Sequence, residues 1–151
     1  MTPSPSDASA DDEIVRHGVS ICVFRGRDML VVRRGKAPGI GRWAPVGGHI
    51  EAGETAEAAA LREVGEETAV MCRLIGESSR RTIRGRDDEG RAIRVELIVF
   101  AAVWVAGEPV AGDDAAEARF VAPDDLAGLD LMDGVGPHVE RARRLFEEGA
   151  R

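Results

Sequence analysis

One segment, Thr55 to Thr68, constrains the fold of this chain more than any other. It is rich in alanine and glutamate, contains no proline, and has Gly65 as its one internal glycine. Alanine and glutamate are strong helix formers, and a threonine just before a helix can accept a hydrogen bond from a free backbone N–H. The sequence therefore predicts a helix that begins after Thr55 and runs to about Thr68.

Three glutamates share one face of this predicted helix. At 100° per residue, Glu63, Glu66 and Glu67 fall within an arc of about 100°. Apolar residues fill the adjacent arc, so the core is expected to hold the acidic face in place. Like charges this close call for a positive partner, and hard divalent cations prefer carboxylate oxygens. From these three residues alone, a solvated acidic face is the simpler alternative.

The rest of the chain predicts strands on both sides of the helix. Apolar runs bounded by turn residues are typical of strands, and Pro123 suits the first turn of a short helix. Residues 139–148 space their apolar side chains as an amphipathic helix does. A central sheet covered by helices, an α/β or α+β sandwich, fits this order. The predicted strands cover residues 18–24, 29–32, 43–46, 70–83, 92–105 and 118–121.

Composition and charge narrow the class of protein. Residues 1–13 are small and polar, and predict a disordered tail before a single domain over residues 14–151. The formal charge of -7 argues against general binding to nucleic acid or to anionic membranes. Cys22 and Cys72 lack metal or redox spacing, which predicts buried free thiols. No secretory signal is visible, so a cytoplasmic location is expected.

The residues around the helix resemble the Nudix box, written G-x5-E-x7-R-E-U-x-E-E-x-G-U with U a bulky aliphatic residue. Gly48, Glu54 and Arg62 stand at its first fixed positions. The glutamates described above and Val70 then follow at the expected gaps. One position departs from the pattern, because Ala69 stands where the family has glycine. Glycine is favoured there since a left-handed helix cap costs it little, so the exit from the helix is expected to differ locally.

The resemblance implies a fold, a reaction and a set of roles. The fold is an α/β/α sandwich with a central mixed sheet, and the reaction is metal-dependent hydrolysis of a nucleoside diphosphate linked to another moiety. Magnesium is the expected metal, with manganese as an alternative. Arg62 and Glu54 match the pair that orients the loop against the helix. The implied metal ligands are Glu63, Glu66, Glu67 and the carbonyl of Gly47.

Several residues outside the box are candidates for substrate contacts or for the general base, each with a simpler alternative. Some family members use a box glutamate as the general base, and others use an acid on a distant loop. Asp113 and Asp114 lie where such a loop acid can stand, or they form a polar turn. Glu96 is a second acid, or a strand residue that faces solvent. The guanidinium groups of Arg33, Arg34 and Arg94 suit phosphate. Trp43 could stack on a base, although core packing is the favoured interpretation.

The substrate is less constrained than the reaction. General similarity leans toward ADP-ribose or a nucleotide sugar, although Arg86 stands where many ADP-ribose-type members have proline. A nucleoside triphosphate pyrophosphohydrolase that clears damaged nucleotides is one alternative. A non-catalytic module that senses a nucleotide is another, but such modules commonly lose box glutamates that this chain retains. Family members are often dimers, so a homodimer using strand 92–105 is the suggested assembly.

Overall fold

A seven-stranded mixed sheet forms the centre of the computed structural model, which describes residues 13–36, 39–112 and 114–149. Helices lie on both faces of the sheet, which confirms the predicted α/β/α sandwich. The strands are β1 (Ile14–Arg25), β2 (Asp28–Arg34), β3 (Trp43–Ala44), β4 (Val46–His49), β5 (Met71–Arg86), β6 (Ala92–Ala106) and β7 (Ala115–Val121). The helices are α1 (Ala56–Thr68), α2 (Pro123–Ala127) and α3 (Gly136–Gly149).

Strand β1 organises the sheet because it pairs with three other strands. It runs parallel to β6 from Ile14↔Ile93 to Phe24↔Val103, and it forms a hairpin with β2. Its middle part pairs antiparallel with β4, with Val19 opposite Gly48. Strand β7 pairs with β2 beyond the hairpin. The pairing between β1 and β6 is parallel whereas the other pairings between these strands are antiparallel, so the sheet is mixed.

Alternate residues of β1 divide the core into two layers. Val19, Ile21 and Val23 are buried against the α1 side, together with Val64 of the helix. Cys22 and Phe24 belong to the second layer, which packs against α2 and α3. The period of two residues in a strand produces this division. Helix α1 is therefore seated on one face of the sheet, and the last helix on the other.

The hairpin of β5 and β6 is the longest pairing in the described chain. Its register runs from Met71↔Ala106 to Arg86↔Ala92, with irregular pairing at three points in β5. Strand β6 is bonded on both sides, by β1 and by β5, so its edges are already used. The expectation that strand 92–105 forms an interface therefore gains no support from edge pairing, since β5 is the strand at the sheet edge.

Two further expectations concern the chain start and the thiols. The predicted tail lies outside the described residues except for Glu13, whose carboxylate pairs with Arg84 at 3.1 Å and Arg94 at 3.4 Å. Both cysteines are free; Cys22 is buried and Cys72 is half-buried. Burial raises the pKa of Cys22 to about 12 and that of Cys72 to about 11. No helix in the described part of the chain is long and apolar enough to span a membrane.

Candidate active site

Helix α1 is fixed at its beginning by the residue that the sequence indicated. The hydroxyl oxygen of Thr55 accepts a hydrogen bond from the amide of Ala58 at 3.1 Å. The inner face of the helix buries Ala59, Ala60, Val64 and Thr68 against the sheet. Because these positions are held by the core, the neighbouring arc that carries the glutamates is also held.

The guanidinium of Arg62 is the centre of the charged network on α1. It binds both carboxylate oxygens of Glu54, with Nε–Oε2 at 2.8 Å and Nη2–Oε1 at 2.9 Å. Its Nη1 donates to Glu63 at 2.8 Å and to Glu66 at 3.2 Å, and its Nη2 also donates to the carbonyl of His49 at 2.9 Å. One side chain thus joins the loop that precedes the helix to two of the three glutamates. The predicted Arg62–Glu54 pair is formed, and these contacts raise the pKa of Arg62 further above its ordinary value.

The carboxylate of Glu63 lies directly over the backbone of Gly48 on β4. A β-carbon on Gly48 would lie well inside van der Waals contact with the carboxyl carbon of Glu63. Glycine at this position therefore makes space for the carboxylate, which is why the residue matters although its φ is ordinary for any amino acid. The Glu63 side chain is only 13% exposed. Burial raises the pKa of Glu63, while the hydrogen bond and charge of Arg62 oppose that rise.

The hydrogen bonds to Glu54 stabilise the ionised form of its carboxylate. The hydrogen bond from Arg62, and a second from the backbone amide of Glu51 at 3.0 Å, lower the pKa of Glu54 to about 2. A carboxylate that accepts several hydrogen bonds is favoured in its charged form. Glu54 therefore stays ionised and keeps Arg62 in place.

The helix ends in the left-handed turn that glycine normally provides, although alanine occupies the position. Ala69 has φ 60° and ψ 15°, and its amide donates to the carbonyl of Gly65 at 3.0 Å. It is the one residue other than glycine with positive φ in the described ranges. The sequence led us to expect a different exit from the helix at Ala69. That expectation is wrong, because the alanine adopts the left-handed cap despite its β-carbon.

The donors on this helix suit a hard divalent cation. Glu63 and Glu66 already converge on one cationic group, the Nη1 of Arg62, and Glu67 follows on the same face. Carboxylate oxygens and a backbone carbonyl are the ligands that magnesium and manganese accept. In the described ranges, no three acidic, thiol or imidazole side chains converge on one point. The glutamates could hold a cation after a change of rotamer, with Gly47 beside Gly48 on β4.

Of the residues predicted to contact substrate, those on β2 and β3 lie at or near Trp43. That side chain is 7% exposed and belongs to the core layer of α2 and α3, as core packing requires. The guanidinium of Arg119 lies 4.8 Å from the Trp43 ring centroid, and that of Arg33 lies 6.0 Å away. Arg34 is the next residue of β2 and bonds through its backbone to Arg42 and Gly41.

Arg94 and Glu96, which were predicted to contact substrate, pair with each other. Their Nε and Oε1 atoms are 3.0 Å apart, and the second oxygen of Glu96 accepts from the hydroxyl of Thr82 at 2.8 Å. Both residues alternate with Ile98, which packs against the core layer of α1, so they lie on the α1 face of the sheet. A step from Ile98 to Glu96 is roughly 7 Å along the strand. Glu96 therefore lies on the face that carries the box residues.

The loop acids have different outcomes. Asp113 lies outside the described residues. The carboxylate of Asp114 pairs with Lys36 at 2.6 Å, and its carbonyl accepts from the amide of Gly35 at 3.1 Å. The amide of Gly112, two residues earlier, donates to the carbonyl of Glu67 at 2.7 Å. The loop that the sequence marked as a candidate is thus brought against the end of α1.

Two features of the other face were not found from the sequence. Arg42 and Arg81 both hold the segment before α3, through the carbonyl of Leu131 and the carboxylate and carbonyl of Asp133. A small cavity beneath this segment is lined by Ser20, Cys22, Pro45, Arg81, Leu97, Val99, Val135 and His138. The Ser79 hydroxyl lies 2.7 Å from the Nδ1 of His138, and burial lowers the pKa of that histidine. No short motif links these residues.

A family model described as the NUDIX domain matches residues 15–147 of this chain. The chain belongs to the NUDIX family. The match covers both layers of the sandwich, so the Nudix resemblance of the box extends to most of the chain. Family membership shows the fold and the box, and the activity of the chain remains a proposal.

Known proteins agree with the assignment to the Nudix family. The ADP-ribose pyrophosphatase of Methanocaldococcus jannaschii is 37% identical over 107 residues, which are 71% of this chain and 62% of that relative. The chain thus matches less than two thirds of the length of that relative. A MutT NUDIX hydrolase from Burkholderia pseudomallei superposes with a TM-score of 0.62 at 23% identity, over 84% of this chain and 97% of the other.

A second solved structure is the NUDIX domain of Shewanella oneidensis NrtR complexed with ADP ribose. Its TM-score is 0.68 at 17% identity, over 95% of this chain and 99% of that one. Identities this low show a common fold. They do not identify a substrate for this chain.

Proposed function

We propose that this Nudix hydrolase cleaves the pyrophosphate bond of a nucleoside diphosphate linked to another moiety, in a metal-dependent reaction, and that ADP-ribose is its first candidate substrate. The observation that carries the proposal is the convergence of Glu63 and Glu66 on Arg62, beside Gly48. The name of the Methanocaldococcus relative supports ADP-ribose as the choice of substrate.

The proposed reaction is the attack of a water oxygen on one phosphorus of the diphosphate. The bond from that phosphorus to the bridging oxygen breaks, and two phosphate monoesters leave as dianions with two protons released. From ADP-ribose the products are AMP and ribose 5-phosphate. A magnesium or manganese ion, when bound, neutralises diphosphate charge and lowers the pKa of a coordinated water.

The residues of the chain contribute position and charge to this reaction. Glu63, Glu66 and Glu67, with the carbonyl of Gly47, are the proposed metal ligands. Arg62 holds the first two carboxylates and is itself fixed by Glu54, so both carboxylates are kept on one face of α1 and need only a change of rotamer to bind a cation. Preorganised charge at a reacting phosphate is the main catalytic term that such a site can supply.

Several cationic side chains are proposed to meet the rest of the substrate. The net charge of -7 gives no general attraction for a polyanion, so binding depends on local cations. Arg33 and Arg34 at the end of β2 are candidates for the nucleotide or the second phosphate. Arg94 and Glu96 lie on the α1 face and are candidates for the distal moiety.

A substrate panel tests the proposal. It compares ADP-ribose, nucleotide sugars, dinucleoside polyphosphates, and common and oxidised triphosphates, with magnesium, with manganese and after chelation. Turnover of ADP-ribose that stops on chelation and returns with magnesium is the expected result. Preference for triphosphates would instead identify a nucleotide-pool hydrolase. Binding without turnover of any compound would identify a sensing module.

A matched pair of variants ties the activity to the helix. Glu67→Gln is expected to remove most turnover while the protein stays folded, because it replaces a charged ligand by a neutral amide. Glu57→Gln, an exposed glutamate in the first turn of the same helix, is expected to keep the wild-type rate. Wild-type turnover in Glu67→Gln would overturn the metal-helix mechanism.

A further inference from the structure

The segment that follows β6 lies across the C-terminal end of the glutamate helix. Residues 107–112 are named the clamp segment. The amide of Val110 donates to the carbonyl of Thr68 at 2.9 Å, and the amide of Gly112 donates to the carbonyl of Glu67 at 2.7 Å. The last carbonyls of a helix have no partner within the helix, and here two of them are bonded by this segment. The clamp segment therefore completes the turn that carries Glu66 and Glu67.

Gly112 contacts this turn more closely than any other amino acid could. A β-carbon on Gly112 would lie 3.0 Å from the Cα of Glu67, and closer still to the carbonyl oxygen of Glu66. Gly112 is not among the described glycines with positive φ, so its backbone conformation does not require glycine. Proximity to the two glutamates is what the residue provides.

The clamp segment is itself anchored at both ends. At its start, the indole N–H of Trp104 donates to the carbonyl of Gly107 at 2.8 Å, and Arg25 binds Glu108 at 3.0 Å. Just beyond its end, Asp114 is held by Gly35 and Lys36, which follow β2. A segment fixed on two sides cannot move away from α1 without breaking contacts to β1 or to the loop after β2. Its distance from the helix is therefore set by the fold.

We propose that Gly112 is a positioning residue, which sets the placement of Glu66 and Glu67 and through them the affinity for divalent cations and the rate of hydrolysis. The inference rests on the proposed metal-dependent function. It adds a residue 42 positions beyond the end of the box at Val70, one that contacts no substrate itself and acts through the backbone of the helix end.

Gly112→Ala is the direct test, and Ala111→Ser, at the exposed neighbouring position, is its control. Binding of Mn²⁺ to the substrate-free protein, measured by electron paramagnetic resonance, is expected to weaken about tenfold in Gly112→Ala, as for loss of a partner that orients metal ligands. The kcat for ADP-ribose is expected to fall roughly 10- to 100-fold, with KM for ADP-ribose much less affected. The control is expected to stay within about twofold of wild type in each measurement. Unchanged Mn²⁺ affinity in a folded Gly112→Ala protein overturns the proposal.

A measurement on the wild-type protein keeps the test decisive if the variant does not fold. Coupling between two sites is reciprocal, so a clamp that favours metal binding must itself be stabilised by the metal. Mg²⁺ alone is expected to slow hydrogen exchange at the amides of Val110 and Gly112, beyond any change at the hairpin amide of Gly90. Equal exchange with and without bound Mg²⁺ refutes the positioning role. Metal binding with normal coupling but no turnover would instead refute only the proposed substrate chemistry.

Discussion

The charged network of α1 and the charged β5–β6 hairpin use the same residue types to different effect. On α1, Arg62 is 23% exposed and bonds groups from position 49 to position 66. In the hairpin, Arg91 is 56% exposed and pairs with Asp87 and Glu89 of its own turn. The first arrangement joins separate pieces of the chain, whereas the second remains within a single turn.

This difference indicates which charge clusters contribute to the stability of the fold. Exposed pairs of near neighbours contribute about 0–1 kcal/mol, because water competes for both partners. A partly buried arginine with several carboxylate partners loses hydration that its hydrogen bonds must replace, so removing it leaves uncompensated charge. The α1 network is therefore expected to be sensitive to substitution, and the hairpin tolerant.

The largest contrast is expected between Arg62→Ala and Arg91→Ala. The first leaves Glu54, Glu63 and Glu66 without their common cation, and should lower Tm by roughly 5–10 °C, with turnover reduced more than about 100-fold. The second should change Tm by less than about 2 °C. Thermal unfolding and the ADP-ribose assay measure both. Equal shifts in Tm would remove the distinction between the two regions.

Two glycines provide the next contrast, at the level of steric space. Gly48→Ala should reduce turnover by about 100-fold, because its β-carbon displaces the Glu63 carboxylate. Gly85→Ala, on β5, meets no atom within 4 Å of the added carbon and should leave turnover within about twofold of wild type. Steady-state kinetics of the two variants decides the point. A Gly48→Ala enzyme with normal kcat would show that Glu63 need not lie over β4.

A smaller contrast concerns stability at the left-handed backbone positions of the two regions, where substitutions at Ala69 and Gly90 are expected to have opposite effects. Ala69 ends α1 at φ 60°, while Gly90 takes φ 79° in the hairpin turn. Ala69→Gly should raise stability by about 1 kcal/mol, since glycine avoids the penalty of the β-carbon, and Gly90→Ala should lower it by a similar amount. Denaturant unfolding measures both changes. Destabilisation by Ala69→Gly would mean that the alanine has contacts that outweigh its strain.

The smallest expected effect concerns how the free energy of unfolding falls at acidic pH. The folded-state pKa of Glu54 is about 2, against an ordinary 4.5, so folding favours the ionised carboxylate. This stabilisation is present above the ordinary pKa and is lost as pH falls from about 4.5 toward 2. Stability should therefore fall less between pH 4.5 and 2 in Glu54→Gln than in the wild type. Glu89→Gln in the hairpin should show the same pH dependence of stability as the wild type. Urea unfolding at several acidic pH values makes the comparison, and identical curves for wild type and Glu54→Gln would contradict it.

The sequence predicted the local elements of this protein well. The helix after Thr55, the two long apolar strands and the short helix at Pro123 all appear in the structure. These predictions succeed because capping, periodicity and backbone restriction act over a few residues. The box spacing also predicted which residues would meet, since Glu54, Arg62 and Glu63 lie within one loop and one helix.

The structure alone decided how this helix is supported and enclosed. The contact of Gly112 with Glu67, the parallel pairing of β1 with β6, and the hold of Arg42 and Arg81 on the segment before α3 join distant positions. No local pattern encodes such pairs, because each depends on how the sheet brings separate segments together. The sequence by itself therefore determined the glutamate helix and its charges. Only tertiary packing decided which backbone atoms fix that helix in place, because those contacts arise between surfaces that exist only once the sheet has formed.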